Sequence, residues 1–337
     1  MRLLICEYVT GGGFLGKPLP ASLAREGDMM LAALVKDVAG VGGLDIASVR
    51  DGRLGDADLP ATFRVLAAPD DPWLVWQNAI AAADAVWPIA PETGGALTRL
   101  SELVLAAGRT LIGSRPRAVV LAASKLATAE HLAARGIAVV PTVAAQAALN
   151  GNLPAAPNGW VVKPDDGASA ESTRLFRRRD DMRRWLGAAP GRDNFVVQPY
   201  VKGSAASLSI LCQNGRAWLL SCNRQEVAIE NSEFRFRGGV VGGLEQRRPL
   251  FEPVAAAIAA AMPDLWGYVG IDVIDGAAGP LVLEVNPRLT TSYVGLGRAI
   301  RVNPAALVLG LVDRDLDAIE RPLRVRAERV DVMALHA

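Results

Sequence analysis

The chain has 337 residues, 51% of them apolar and 21% charged, which is enough for a large buried core and argues against disorder. It is too long for one ordinary single-core domain, so two or three lobes are expected. Thirty-six basic residues against 35 acidic ones leave a net charge of +1, without the basic excess of a dedicated nucleic-acid binder. Three cysteines exclude a disulfide scaffold and suit a reducing compartment. No stretch reaches the roughly 20 apolar residues of a membrane span. A soluble, cytoplasmic protein is expected, beginning with a strand rather than a signal peptide.

Residues 1–113 alternate strands with helical stretches. Positions 3–9 read as a strand, followed by the glycine turn Thr10-Gly11-Gly12-Gly13, and 21–38 have helical spacing. Further strands are expected at 64–67, 85–89 and 110–113, with helices at 72–83 and 96–107. This alternation implies an α/β domain, a parallel sheet covered on both faces.

Residues 114–190 read as a small α+β lobe. Ser124 is the expected cap of a helix that runs to Ala134 and stops at Gly136. Strands follow at 138–141, 159–163 and 172–176, then a helix at 180–186.

Residues 191–337 read as a larger, mostly antiparallel α+β lobe with a strand in its tail at 323–332. Asn214-Gly215 is a strong hairpin signal between 207–213 and 216–222, and places Cys222 opposite Ser207 and Cys212 opposite Ala217. A helix at 252–262 precedes a second hairpin, 268–274 with 281–285.

That second hairpin carries the chemistry. Side chains alternate along a strand, so Ile271 and Val273 share one face with Leu281, Leu283 and Val285. Asp272 and Glu284 then lie side by side on the other face, with Asn286 two residues on and Arg288 just beyond. Like charges directly across a sheet are destabilising unless something neutralises them. Two carboxylates and an amide oxygen are hard ligands suited to Mg²⁺.

The basic residues comprise 31 Arg and only five Lys, a bias that marks the lysines for attention. Lys163 ends a strand and precedes the small-residue loop Gly167-Ala168-Ser169-Ala170, an arrangement that suits phosphate. Lys125 follows the helix cap, and by itself also reads as part of a solvated helix face. Gln198-Pro199-Tyr200-Val201 follows a strand whose edge could face a planar base; Lys202 is expected to be exposed. Glu7 and Glu92 fall at or beyond strand ends of the first domain, where open α/β sheets bind ligands. The two histidines, His131 and His336, are not placed for acid–base work.

Taken in order, Ser124-Lys125, Val162-Lys163-Pro164, Gln198 to Gly203, Gly270-Ile271-Asp272 and Glu284 to Arg288 resemble the ATP-grasp superfamily over roughly residues 84–312. The resemblance implies an N-terminal parallel-sheet domain and two α+β lobes that clamp ATP. It implies that Lys125 and Lys163 contact the phosphates, that Gly167, Ala168 and Ser169 close over them, and that Gln198, Pro199, Tyr200 and Val201 line the adenine pocket. Asp272, Glu284 and Asn286 would hold two Mg²⁺, with Mn²⁺ an acceptable substitute, and Arg288 would act with Lys163 in catalysis. The acidic residue that many members use for ribose is missing from 203–207.

Residues 5–13, Ala90-Pro91-Glu92, Ser207-Leu208-Ser209 and 286–293 further resemble the subgroup containing the tyramine–glutamate ligase of methanofuran biosynthesis. That implies joining a carboxylate, glutamate, to a tyramine- or tyrosine-like amine through an acylphosphate, in the making of a methanofuran-like one-carbon carrier. Glu7, Gly12, Glu92, Thr290, Thr291 and Ser292 would be near the substrates, although 290–293 also reads as a polar loop before a helix. Small-molecule substrates are implied, with no nucleic acid or membrane partner, and a homo-oligomer is compatible. A small-molecule kinase or a non-catalytic ATP-binding subunit would use much of the same constellation.

Overall fold

The structure is a computed structural model and describes residues 1–166, 172–319, 321 and 325–331. Among these, the first sheet contains β1 (Arg2–Glu7), β2 (Asp45–Asp51), β3 (Thr62–Leu66), β4 (Ala85–Ile89) and β5 (Thr110–Leu111), all parallel, in the order β3-β2-β1-β4-β5. Helices α1 (Ala21–Val41), α2 (Pro72–Ala81) and α3 (Ala96–Ala106) cover its two faces. Leu3 and Ile5 pack with Leu31, Leu34 and Val38 on one side; Leu4 and Cys6 pack with Trp76, Ile80, Leu97 and Leu100 on the other. The strand order reverses at β1 and β4, so their carboxyl ends flank the crevice where such sheets hold ligands.

Two features of this region were not legible. β1 ends at Glu7 rather than at position 9, because Val9–Gly13 coil into a wide helical turn. β2 escapes the sequence pattern because Ser48, Arg50 and Asp51 are buried polar residues that break its apolar run.

The chain continues through α4 (Pro116–Ala123), α5 (Lys125–Ala133), β6 (Val143–Ala144), α6 (Ala145–Leu149), β7 (Trp160–Pro164), β8 (Arg174–Phe176), α7 (Arg179–Ala188) and β9 (Phe195–Pro199). The strand expected at 138–141 is instead an irregular crossing with one bridge, Val139 to Val282, and the short strand lies later, at β6. β9 pairs with β7 and β6, so the strand leading to the hinge belongs to this region's sheet.

There follow β10 (Gly203–Gln213), β11 (Arg216–Glu230), β12 (Glu233–Val241), α8 (Arg248–Ala261), β13 (Gly267–Gly276), β14 (Gly279–Asn286), α9 (Tyr293–Ile300), α10 (Pro304–Gly310) and β15 (Glu328–Asp331). Their strands join those of the preceding region in one sheet, β14-β13-β10-β11-β12-β8-β7-β9-β6, with β15 on β12. Leu208, Ile210, Ile271 and Val273 are buried against Phe251, Ala255 and Ile258 of α8, each apolar side chain contributing about 1.5–3 kcal/mol. The opposite face is polar around Ser207, Ser209 and Asp272, and apolar where Leu211, Leu220 and Val241 pack with Leu296 of α9. α1 packs on α9 and α10 within one apolar cluster that joins the first sheet to the last region. Among the described residues no helix is long and apolar enough to cross a membrane.

Bulges alter two expected registers. Cys212 does face Ala217, but an extra residue on β11 puts Leu208, not Ser207, opposite Cys222. Leu283 is the extra residue on β14, so Val282 and Val285 are the buried partners of Val273 and Ile271. Such an insertion re-aims the side chains beside it.

Ser124 caps α5 as expected: its hydroxyl accepts from the Ala127 N–H at 3.0 Å. Ser124→Ala should cost about 1 kcal/mol in urea unfolding and Ser124→Asp much less; equal stability of wild type and the alanine variant would contradict the cap.

Candidate active site

The hairpin brings its two carboxylates together. Asp272 on β13 stands directly opposite Glu284 on β14, and Gly270 opposite Asn286, on the same face. Asn286 donates to Asp272 Oδ2 at 3.3 Å, which turns its amide oxygen away from that carboxylate. Gln225 of β11 donates to the other oxygen, Oδ1, at 2.9 Å.

The electrostatics of the pair are lopsided. Burial and the Glu284 charge push Asp272 well above the usual carboxylate range. Burial opposes the Glu284 charge too, but Lys125 and Lys163 outweigh it and hold Glu284 below its ordinary value. The pair therefore favours one negative charge, and a divalent cation shared by both groups would remove the conflict. Among the described residues no three His, Cys, Asp or Glu side chains converge as a metal site. A cation held by these two carboxylates and Asn286 would thus complete its shell with water and phosphate oxygens, the usual manner of Mg²⁺.

The lysines arrive from separate elements. Lys125, the first residue of α5, is 7% exposed and lies 3.6 Å from Glu284 Oε2. Its ammonium also donates to the Asp165 carbonyl at 3.1 Å. Lys163, in β7, is 6% exposed. Burial draws its ammonium down to about 8, with Glu284 opposing and Lys125 reinforcing the fall.

Asp165 links the two lysine-bearing elements. Its carboxylate accepts from the Leu126 N–H at 2.8 Å, at the start of α5. Asp166 then ties the loop to its surroundings: Thr93 Oγ1 donates to its carbonyl at 2.7 Å, and Asn194 Nδ2 to its carboxylate at 2.7 Å. Gly167, Ala168 and Ser169, expected to close over phosphates, lie outside the described residues.

Arg288 connects the hairpin to the first sheet. Its guanidinium donates to Glu92 Oε2 through Nη2 at 2.9 Å and Nε at 3.2 Å, and to the Leu289 carbonyl at 3.1 Å. Burial works against the charge of Arg288, but Glu92, Glu284 and Asp272 raise its pKa. Glu92, three residues beyond β4, is 8% exposed, and its Oε1 is buried without a hydrogen-bond partner among the described residues.

Glu7 and Gly12 are not brought to this constellation. Glu7 accepts from the Val9 and Thr10 N–H groups and from the Thr10 hydroxyl, so it organises its own turn. A Cβ at Gly12 would collide with Leu66, which places that backbone against the first domain's core. His131 contacts the Ala261 carbonyl, and His336 lies outside the described residues.

The hinge is ordered as a strand end. Gln198 is buried and donates to Thr142 at 2.8 Å; the Tyr200 N–H donates to the Gly159 carbonyl at 2.8 Å. Pro199, Tyr200 and Val201 are half-buried and Lys202 is exposed, as expected. Thr290 and Ser292 join a buried hydroxyl network: Thr290 Oγ1 lies 3.0 Å from the Tyr268 hydroxyl, and Ser292 Oγ lies 3.3 Å from Ser207 Oγ. Thr291, between them, is half-buried. A Cβ at Gly270 would lie 2.5 Å from Thr290 Cγ2, so only glycine lets Thr290 cover this part of the carboxylate face.

Sequence reasoning missed Gln225, Asn223 and Asp165. The first two lie in the half of β11 beyond Cys222, where alternation fades. Asp165 looked like part of a turn.

Two cavities, of about 470 and 350 Å³, lie beside rather than over the carboxylates. The larger is lined by Arg174, Trp185, Phe195 and Phe234; the smaller meets the constellation at Glu92 and Asp166.

Residues 122–292 match the ATP-grasp domain family, and residues 44–119 match the pre-ATP-grasp 3 domain. Tyramine–L-glutamate ligase of Methanocaldococcus jannaschii is 28% identical over 140 residues. That match spans 42% of this chain and 42% of that relative. An Archaeoglobus fulgidus structure described as an ATP-grasp superfamily protein superposes with a TM-score of 0.73 at 21% identity, over 98% of this chain and 92% of that one. L-amino acid ligase from Bacillus licheniformis gives 0.70 at 16% identity, over 96% and 78%. The biotin carboxylase domain of Hydrogenobacter thermophilus 2-oxoglutarate carboxylase, solved with MgADP and bicarbonate, gives 0.71 at 14%, over 96% and 72%. At these identities the structural likenesses concern the fold, while the family match covers about half the chain and includes both lysines and both hairpin carboxylates: the chain belongs to the ATP-grasp family.

Proposed function

We propose that this protein is an ATP-dependent ligase that joins the side-chain carboxylate of glutamate to a tyramine- or tyrosine-like amine, in the making of a methanofuran-like one-carbon carrier. The observation that carries the reading is the directly opposed Asp272–Glu284 pair, with Asn286 beside it and Lys125 and Lys163 facing it. The partial likeness to tyramine–L-glutamate ligase supports the choice of substrates.

Lys125 and Lys163 are assigned to the phosphates of ATP, and the hinge 198–201 to the adenine. Asp272, Glu284 and Asn286 would hold two Mg²⁺, for which Mn²⁺ could substitute. Bound there, the ions would neutralise charge on the transferring phosphoryl group. A carboxylate oxygen of glutamate attacks the γ-phosphorus, the bond to the ADP oxygen breaks, and an acylphosphate forms. The neutral amine then attacks the acyl carbon, the C–O bond to phosphate breaks, and the proton lost by the nitrogen goes to the departing phosphate. Arg288 is assigned to the developing charge in both steps, held in orientation by Glu92.

The lid is assigned to the region expected at 114–190, extended to Pro199 because β9 pairs with β7 and β6, with Asp166 joining its loop to the first domain; the chain beyond the hinge is assigned to the larger lobe. The three cysteines are buried and free, which supports a cytoplasmic setting.

Purified protein given Mg-ATP, L-glutamate and tyramine or tyrosine should release ADP in an amine-dependent way and form a new amide mass. A stable phosphoester product, or ADP release unaffected by Glu284→Gln, would sink the assignment; the variant should lose about a hundredfold or more in rate. Glu92→Gln, which keeps the shape but removes the counter-charge of Arg288, should lower kcat about tenfold with little change in ATP affinity. An unchanged kcat would show that Glu92 does not position Arg288.

A further inference from the structure

The polar face beside the carboxylates contains a hydrogen-bond chain whose direction is fixed at one residue. Asn223, 1% exposed, accepts the Gly242 N–H through Oδ1 at 3.1 Å. That contact sets the amide's orientation, so its NH₂ faces Ser207 at 3.3 Å and Ser209 at 3.1 Å. Both serines must accept. Ser209 is fully buried, and its remaining contact is the Tyr268 hydroxyl at 3.0 Å, so its own proton goes to Tyr268. The Tyr268 proton in turn goes to Thr290 Oγ1, at 3.0 Å. On the second branch Ser207, 4% exposed, gives its proton to Ser292. The Ser207, Ser209 and Tyr268 protons then each have an acceptor within this network, which avoids the cost of leaving one unpaired.

Thr290 and Ser292 end the two branches, and both are half-buried. Each accepts from within and so keeps its own proton to donate outward. Thr290 covers Gly270, two residue pairs along the ladder from Asp272 and Glu284 and on the same face, and lies two residues past Arg288. The geometry points to Asn223 as a positioning residue that turns the Thr290 and Ser292 hydroxyls into a pair of donors for a carboxylate of the substrate. This deepens the ligase reading and rests on it: the donors would select an anionic acid over its neutral amide, because charge-assisted hydrogen bonds are the stronger ones.

Asn223→Asp keeps the acceptor for Gly242 but replaces the NH₂ by a second acceptor. Both serines must then donate inward, the chains reverse, and Thr290 and Ser292 present lone pairs. Titration calorimetry in the presence of Mg²⁺ and a non-hydrolysable ATP analogue can read this, with L-glutamate, L-aspartate, 2-oxoglutarate and L-glutamine as probes. The wild type should bind at least one of the acids more tightly than L-glutamine. Asn223→Asp should weaken that acid about tenfold or more, with the affinity for the ATP analogue within about twofold. Thr290→Val, which changes no buried charge and gives a readout if Asn223→Asp does not fold, should show the same split.

Acid affinity equal to wild type in a folded Asn223→Asp, or in Thr290→Val, overturns the inference. So does loss confined to the ATP analogue, or a wild type that binds the analogue but none of the acids. Failure of the wild type to bind the ATP analogue would instead overturn the ligase reading and, with it, this inference.

Discussion

Two carboxylates held directly across a hairpin repel each other, and the site is arranged around that repulsion. Asp272 and Glu284 are fixed in opposition by the β13–β14 ladder and cannot separate without breaking it. Lys125 and Lys163 offset part of the conflict, yet burial still drives Asp272 toward its neutral form. A sheet that sought stability alone would place opposite charges or apolar residues there. The arrangement makes physical sense as a ligand set that is completed by a cation carrying its own phosphates.

The remainder of the fold delivers charges to that point from distant parts of the chain. Asp165 joins the end of β7 to the start of α5, so the two lysines come as one unit. Glu92 reaches from the switch point of the first sheet to Arg288 across 196 positions of sequence. Behind the polar face, Leu208, Ile210, Ile271 and Val273 pack on α8 and make the sheet a stiff platform. Rigid support of this kind is what positioning chemistry demands, because catalytic electrostatics depend on donors that do not reorganise.

Much of this was legible in the sequence. The parallel first sheet followed from strand–helix alternation, and the Asp272–Glu284 pairing followed from a period of two on each strand. Ser124 announced the start of α5, and the scarcity of lysine drew attention to Lys125 and Lys163. Other features were hidden for identifiable reasons. β2 carries buried Ser48, Arg50 and Asp51, so polarity concealed a central strand. The bulges at Leu220 and Leu283 shift a register by one, which no alternation pattern reveals. Gln225 and Asn223 act across strands far apart in sequence, and Glu7 was expected near the substrates from its place at a strand end although its own turn absorbs its carboxylate.

The central claim is that the Asp272–Glu284 pair holds a divalent cation together with the phosphates of ATP. Calorimetric binding of a non-hydrolysable ATP analogue, with and without Mg²⁺, tests it most directly in wild type and Glu284→Gln. The account predicts that Mg²⁺ tightens binding to the wild type by about tenfold or more and has little effect on the variant. Equal affinity in the wild type with and without Mg²⁺, or an undiminished Mg²⁺ effect in Glu284→Gln, would contradict it.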